Sequence, residues 1–146
     1  SGIVDGAAAA LVGNAEAGEA LSLSPRAIIR SFASVGSEPC IMLDGPAEAC
    51  RRALRQAGLG AKDIDLWEIN EAFSAVVLRV MDELSIDPER VNVNGGAIAL
   101  GHPIGSSGSR IVVTLLHEMA RNNFKKGLAT LCIGGGMGIA LCLERD

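Results

Sequence analysis

The 146-residue sequence predicts a layered α/β domain built on a mixed sheet and closed by a C-terminal β-hairpin. Two observations predict it. From Arg26 onward, short apolar runs alternate with segments of helical periodicity. The last two apolar runs, Leu128–Ile133 and Ile139–Leu143, are uncharged and flank Gly134-Gly135-Gly136-Met137-Gly138, a pattern for two buried strands joined by a glycine turn.

The elements follow in order. Residues 3–13 are apolar and small apart from Asp5; the alanines favour a helix, the flanking glycines and short length a buried strand. Ala15–Leu21 reads as a short helix ended by the Ser22–Pro25 turn. Arg26–Val35, with Ile28, Ile29, Phe32 and Val35 and no helical start signal, reads as a strand. Pro46 suits the first helical position, where its missing N–H costs nothing. The helix that follows carries Ala49, Cys50, Ala53, Leu54 and Ala57 on one stripe, turns Arg51, Arg52 and Arg55 away, and stops at Gly58. Leu66–Ile69 is a short strand. Ala72–Leu84 is apolar nearly all round, which predicts a helix buried inside the domain. Pro88 lies in a loop, and Ile104–Arg121 is amphipathic, with Ile111, Val112, Leu115, Leu116 and Met119 at helical spacing.

Composition narrows the function classes. The chain is 49% apolar and 21% charged, a globular mix. Its net charge of −4 lacks the basic footprint of a nucleic-acid binder. No apolar run approaches the roughly 18 residues that span a bilayer, so neither nucleic acid nor membrane is an expected partner. Ser1-Gly2-Ile3-Val4-Asp5-Gly6-Ala7 has no initiator Met and reads as the interior of a longer chain. Nothing marks secretion, so the expected location is cytoplasmic. Cys40, Cys50, Cys132 and Cys142 form no CxxC or CxxH pair, so no metal site is expected.

Three segments carry chemistry. Asn70-Glu71-Ala72-Phe73 stands where a strand meets a helix. Asn70 there is either a helix cap or a site residue at a strand's C-terminal end, and Glu71 satisfies backbone donors. In Asn92–Gly108, glycines at 95, 96, 101, 105 and 108 let the backbone approach a ligand. His102 precedes the amphipathic helix, whose positive end disfavours imidazolium and welcomes an oxyanion; the plain alternative is a surface-loop histidine. Cys132-Ile133-Gly134-Gly135-Gly136 places a thiol beside glycine N–H groups. It is either a buried cysteine next to a tight turn, or a group that local positive potential shifts toward thiolate beside an oxyanion hole. Together, Asn, His and Cys supply an oriented polar group, a base and a proton partner, and on this logic alone a Cys–His hydrolase or a transferase both fit.

Asn70-Glu71-Ala72-Phe73, then Asn92–Gly105 with Gly101-His102-Pro103, then Gly127–Gly138 resemble the three C-terminal signatures of thiolases, in order and spacing. Val4 and Ser74 depart mildly from the commonest residues. The resemblance implies the layered α-β-α-β-α fold, with helices on both faces of a mixed sheet. It implies that residues 1–25 are the tail of the N-terminal half and 26–146 the C-terminal domain. The implied reaction is Claisen condensation of acyl-CoA molecules or thiolytic cleavage of a 3-ketoacyl-CoA. Coenzyme A thioesters are then substrates, with no tightly bound cofactor. The nucleophilic cysteine would lie in the missing N-terminal half, leaving this chain inactive alone. By the same resemblance, Cys132 is the acid/base thiol, His102 activates the nucleophile and binds the thioester oxygen, and Asn70 holds a water completing that oxyanion hole. Gly134 N–H is a donor of a second hole. Phe73, Met42 and Ala72 line the substrate pocket. The full-length enzyme would be a homo-oligomer. A non-catalytic acyl-CoA-binding module and a Cys–His acyl hydrolase are the competing readings.

Overall fold

Strands β1 (Ile28–Gly36), β2 (Leu66–Ile69), β3 (Lys126–Ile133) and β4 (Met137–Glu144) form one sheet in the order β1-β4-β3-β2. The computed structural model describes residues 1–146. β3 and β4 are the expected hairpin, with Ile133 opposite Met137, and β1 adds antiparallel to β4. β2 pairs parallel to β3, Ile69 opposite Thr130, so the sheet is mixed. All four residues of β2 are buried, as a strand covered on both faces requires. Its outer edge is closed by Asn92, which donates its N–H to Trp67 O at 2.9 Å and brackets Ile69 N and O with its side-chain amide, at 2.8 Å each.

Helices cover both faces. α2 (Gly45–Ala57) lays the predicted stripe of Ala49, Cys50, Ala53 and Leu54 against Ala33, Val35, Trp67, Leu128, Ala140 and Cys142. The small side chains bring its backbone close to the sheet. The helix ends at Gly58, whose φ of 69° is the left-handed conformation glycine adopts freely. On the opposite face α5 (Ile104–Arg121) packs Ile111, Leu115 and Met119 against Leu66, Ala129 and Leu143. Each fully buried Leu or Ile in such a layer contributes about 1.5–3 kcal/mol. No helix is long and apolar enough to cross a membrane.

Two expectations are corrected. α3 (Ser74–Leu84) begins two residues later than its periodicity suggests and is not buried all round. It packs on α2, so only Val76 and Val80 are buried, and Leu78 remains 61% exposed because nothing in the chain lies over that side. Residues 3–13 form neither a helix nor a buried strand, and Leu11 and Val12 are 80% and 71% exposed, because no strand of the sheet pairs with them. The short helix α1 (Ala15–Ala20) forms as expected, capped by Asn14 Oδ1 accepting from Ala17 N at 2.8 Å, yet it buries nothing. What the first residues do is cross the glycine-rich loop: Gly2 O accepts the His102 N–H at 2.8 Å.

Candidate active site

The parallel pairing of β2 with β3 sets the site. Asn70, just past the end of β2, donates its backbone N–H to Thr130 O at 2.9 Å, while β3 runs two residues further to Cys132. Asn70 and Cys132 therefore stand at the same edge of the sheet, the C-terminal ends of two parallel strands. Asn70 is fully buried and caps no helix; Phe73 takes the N-cap position of α3 without a side-chain bond.

His102 reaches Asn70 from the loop between the four-residue helix α4 (Ala97–Leu100) and α5. Its Nε2 lies 3.4 Å from Asn70 Nδ2, and its Nδ1 lies 2.6 Å from Ser107 Oγ, one turn into α5. The Ser107 hydroxyl donates to Pro103 O at 3.0 Å, so its oxygen is left to accept from His102 Nδ1–H. That selects the tautomer with a lone pair on Nε2, which then accepts from the Asn70 amide. Burial holds the His102 imidazole below its ordinary range, reinforced by Arg110. A neutral histidine was expected from the helix end; burial is the first cause the structure supplies.

Glu71 works as a clamp. Its carboxylate accepts from Ile98 N at the start of α4 and from Asn92 Nδ2, both at 2.9 Å. A Cβ on Gly96 would fall 2.2 Å from its carboxyl carbon, so a larger residue there would displace the Glu71 carboxylate from these two bonds. Of the expected backbone donors one is found, the Ile98 N–H of α4, and none in the first turn of α3.

Cys132 is half-buried and unpaired, and no hydrogen bond joins its sulfur to Asn70 or His102. Burial pushes its thiol up, which overturns the expected shift toward thiolate; no cation lies close enough to reverse the sign. The turn after it divides its glycines. Gly135 and Gly136 adopt φ of 84° and 79°, which glycine tolerates. Gly134 has no positive φ, is exposed, and a Cβ there would meet nothing within 4 Å. Neither packing nor backbone demands glycine at 134.

Met42 lies in the loop before α2, which is stitched to the same turn: Ser37 donates its N–H and hydroxyl to Gly136 O at 2.7 and 2.6 Å. Met42 holds a φ of 62° and is 37% exposed, and Phe73 is 55% exposed at the start of α3. Ala72 is partly buried, with its carbonyl accepting from Ser1. The structure thus joins Asn70 to His102 directly, while Cys132 and Gly134 lie on β3 and the turn after it, Met42 in the loop before α2 and Phe73 at the start of α3. Sequence reasoning missed Ser107 as the residue orienting His102. Its signal was a serine one turn into the helix that His102 precedes. No group of three or more His, Cys, Asp or Glu side chains is placed to hold a metal ion.

Comparison with known proteins places this geometry. A family profile described as "Thiolase, C-terminal domain" matches residues 23–145. The chain is 59% identical over 145 residues to an acetyl-CoA acetyltransferase of Chromobacterium violaceum and 60% identical over 146 residues to that of Pseudomonas aeruginosa. It aligns with the crystal structure of human mitochondrial 3-ketoacyl-CoA thiolase at a TM-score of 0.87 and 45% identity, over 90% of this chain and 33% of that one. The matches cover 99% and 100% of this chain, which spans 37% of the length of each bacterial relative.

Proposed function

The chain belongs to the thiolase family, and from that premise we propose that it is the C-terminal catalytic half of an acyl-CoA acyltransferase. Residues 1–25 would be the tail of the preceding half and 26–146 the catalytic domain. Acyl-CoA and acetyl-CoA are its substrates and no tightly bound cofactor takes part. The nucleophilic cysteine comes from residues outside this chain, and the whole enzyme is a homo-oligomer. The observation that carries this reading is the Ser107–His102–Asn70 relay, which leaves the lone pair on His102 Nε2, beside Asn70 at the C-terminal end of β2.

In the cleavage direction His102 Nε2 takes the proton of the incoming nucleophilic thiol. The resulting Nε2–H then donates to the thioester oxygen beside a water held by Asn70. The thiolate attacks the 3-keto carbonyl, whose oxyanion is met by Gly134 N–H, each such donor being worth about 3 kcal/mol. The carbon–carbon bond breaks, and the departing acetyl-CoA enolate takes the proton of Cys132. A thiol held protonated by burial suits that step. Free coenzyme A then gives its thiol proton to the Cys132 thiolate and attacks the acyl group left on the nucleophilic cysteine, whose thiolate recovers its proton from His102. Condensation is the reverse: the Cys132 thiolate removes the α-proton and the enolate attacks the acylated nucleophile. Met42, Phe73 and Ala72 line the acyl and pantetheine path.

The test uses acetoacetyl-CoA and free coenzyme A. The 146-residue chain alone should show no thiolysis. Joined behind the preceding portion of the Chromobacterium violaceum enzyme, it should show thiolysis that Cys132→Ala abolishes. A folded fusion without activity, or one indifferent to Cys132→Ala, would overturn the proposal in favour of a binding module.

A further inference from the structure

Only two buried side-chain polar atoms in the molecule have no hydrogen-bond partner: Glu68 Oε1 and Asn70 Oδ1. They belong to residues two apart on one strand and its end, so they lie on the same face, the one that Leu66 presents to α5. Both residues are 0% exposed. Two orphaned acceptors on one buried face oppose each other's partial charge and each lacks a donor, at a cost of about 1–3 kcal/mol per group. A proton on the carboxyl removes both faults, because it converts one acceptor into a donor.

We propose that Glu68 is a positioning residue for Asn70: its carboxyl group stays protonated in the working site and supplies, directly or through one water, the hydrogen bond that Asn70 Oδ1 lacks. The amide is thereby held with Nδ2 toward His102 Nε2. The proposal rests on the acyl-transfer reading only for its effect on turnover.

The charged surroundings agree. Arg110 on α5 touches Glu68 Oε2 at a long 3.4 Å and leaves Oε1 free. Glu118 on the same helix and Glu71 beyond Asn70 oppose a further negative charge. From β3 the residue opposite is Ala129, which offers no charge. Burial, the largest influence, together with the two carboxylates outweighs Arg110 and raises the Glu68 pKa to about 7.

The experiment uses the fused enzyme described above. Carbon-13 NMR of labelled glutamate, assigned by Glu68→Gln, should show one carboxyl titrating near pH 7. Glu68→Gln keeps a donor at every pH and should hold kcat within about fivefold of wild type at pH 6.5. It should also remove a loss of kcat with midpoint near 7 that wild type shows on the alkaline side. Glu68→Met should lower kcat about twentyfold with KM moved less than twofold. A Glu68 carboxyl ionised at pH 5, or a Gln variant retaining the same alkaline limb, would overturn the proposal. If the Met variant does not fold, the titration and the Gln profile decide. If the fusion has no activity, the acyl-transfer reading fails while the titration alone still decides the protonation of Glu68.

Discussion

Ser107 Oγ accepts from His102 Nδ1 at 2.6 Å while its own hydroxyl is committed to Pro103 O at 3.0 Å, so a serine one turn into α5 decides which imidazole nitrogen is basic. Ser107→Ala should free the ring to take either tautomer. In the fused enzyme kcat should fall about tenfold, the equivalent of one lost hydrogen bond of roughly 1.4 kcal/mol, with KM nearly unchanged. Steady-state kinetics check this, and a KM effect larger than the kcat effect would assign Ser107 to substrate binding.

The acidity of His102 fixes a pH profile. Burial first, with Arg110 adding to it, holds its folded pKa below the ordinary 6.5. Below pH 6.5 the unfolded chain therefore binds more protons than the folded one. The contribution of His102 to stability is complete above 6.5 and declines as pH falls toward the folded value. Catalysis follows the same proton, since only the neutral ring accepts from the nucleophile. An acid limb of kcat/KM with its midpoint below 6.5 is expected; one centred above 6.5 would remove His102 as the base.

Cys132 separates transferase from hydrolase. Cys132→Ser should lower thiolysis by a factor of about 10² to 10⁴, the range for losing a general acid or base. After brief exposure to radiolabelled acetyl-CoA, the label in the fused enzyme should sit on a cysteine outside these 146 residues. Peptide mapping that finds the acyl group on Cys132 would establish the hydrolase mechanism instead.

The four cysteines should differ in reactivity. Cys40 is exposed, Cys132 half-buried, and Cys50 and Cys142 are buried in the core. Burial pushes Cys50 up to about 12 and raises Cys142 as well. Iodoacetamide at pH 8, followed by mass spectrometry, should modify Cys40 first, Cys132 slowly, and the other two only after unfolding. Alkylation of Cys50 as fast as Cys40 would contradict the packing of α2 on the sheet.

Two glycines should respond oppositely to one added methyl group. A Cβ on Gly138 would fall 2.2 Å from the Gly45 carbonyl carbon, backbone against backbone where α2 meets the hairpin. Gly138→Ala should therefore destabilise the protein by about 1–3 kcal/mol or more, read by thermal unfolding. Gly134→Ala meets open space and should leave the melting temperature unchanged while lowering activity, because the methyl group intrudes where the substrate oxygen is to sit. Equal melting losses in the two variants would refute the distinction.

The sequence by itself determined most of the elements and pointed to Asn70, His102 and Cys132 as candidate site residues. Strand and helix periodicity, the Pro46 start and Gly58 stop of α2, and the glycine turn of the β3–β4 hairpin are local patterns, legible without tertiary contacts. Asn70, His102 and Cys132 were likewise legible because the motifs around them are contiguous. Only the tertiary structure decided what those groups experience. The pairing of β2 with β3 set Asn70 level with the end of the cysteine strand, and the packing of α5 brought Ser107 to His102 and Arg110 to Glu68. Desolvation then reversed the expected shift at Cys132 and raised the pKa of Glu68, a residue no local pattern had singled out. The same reason accounts for the misreadings of residues 3–13 and of α3. An apolar pattern records a tendency to be covered, and whether a covering surface exists depends on neighbours that are distant in the chain.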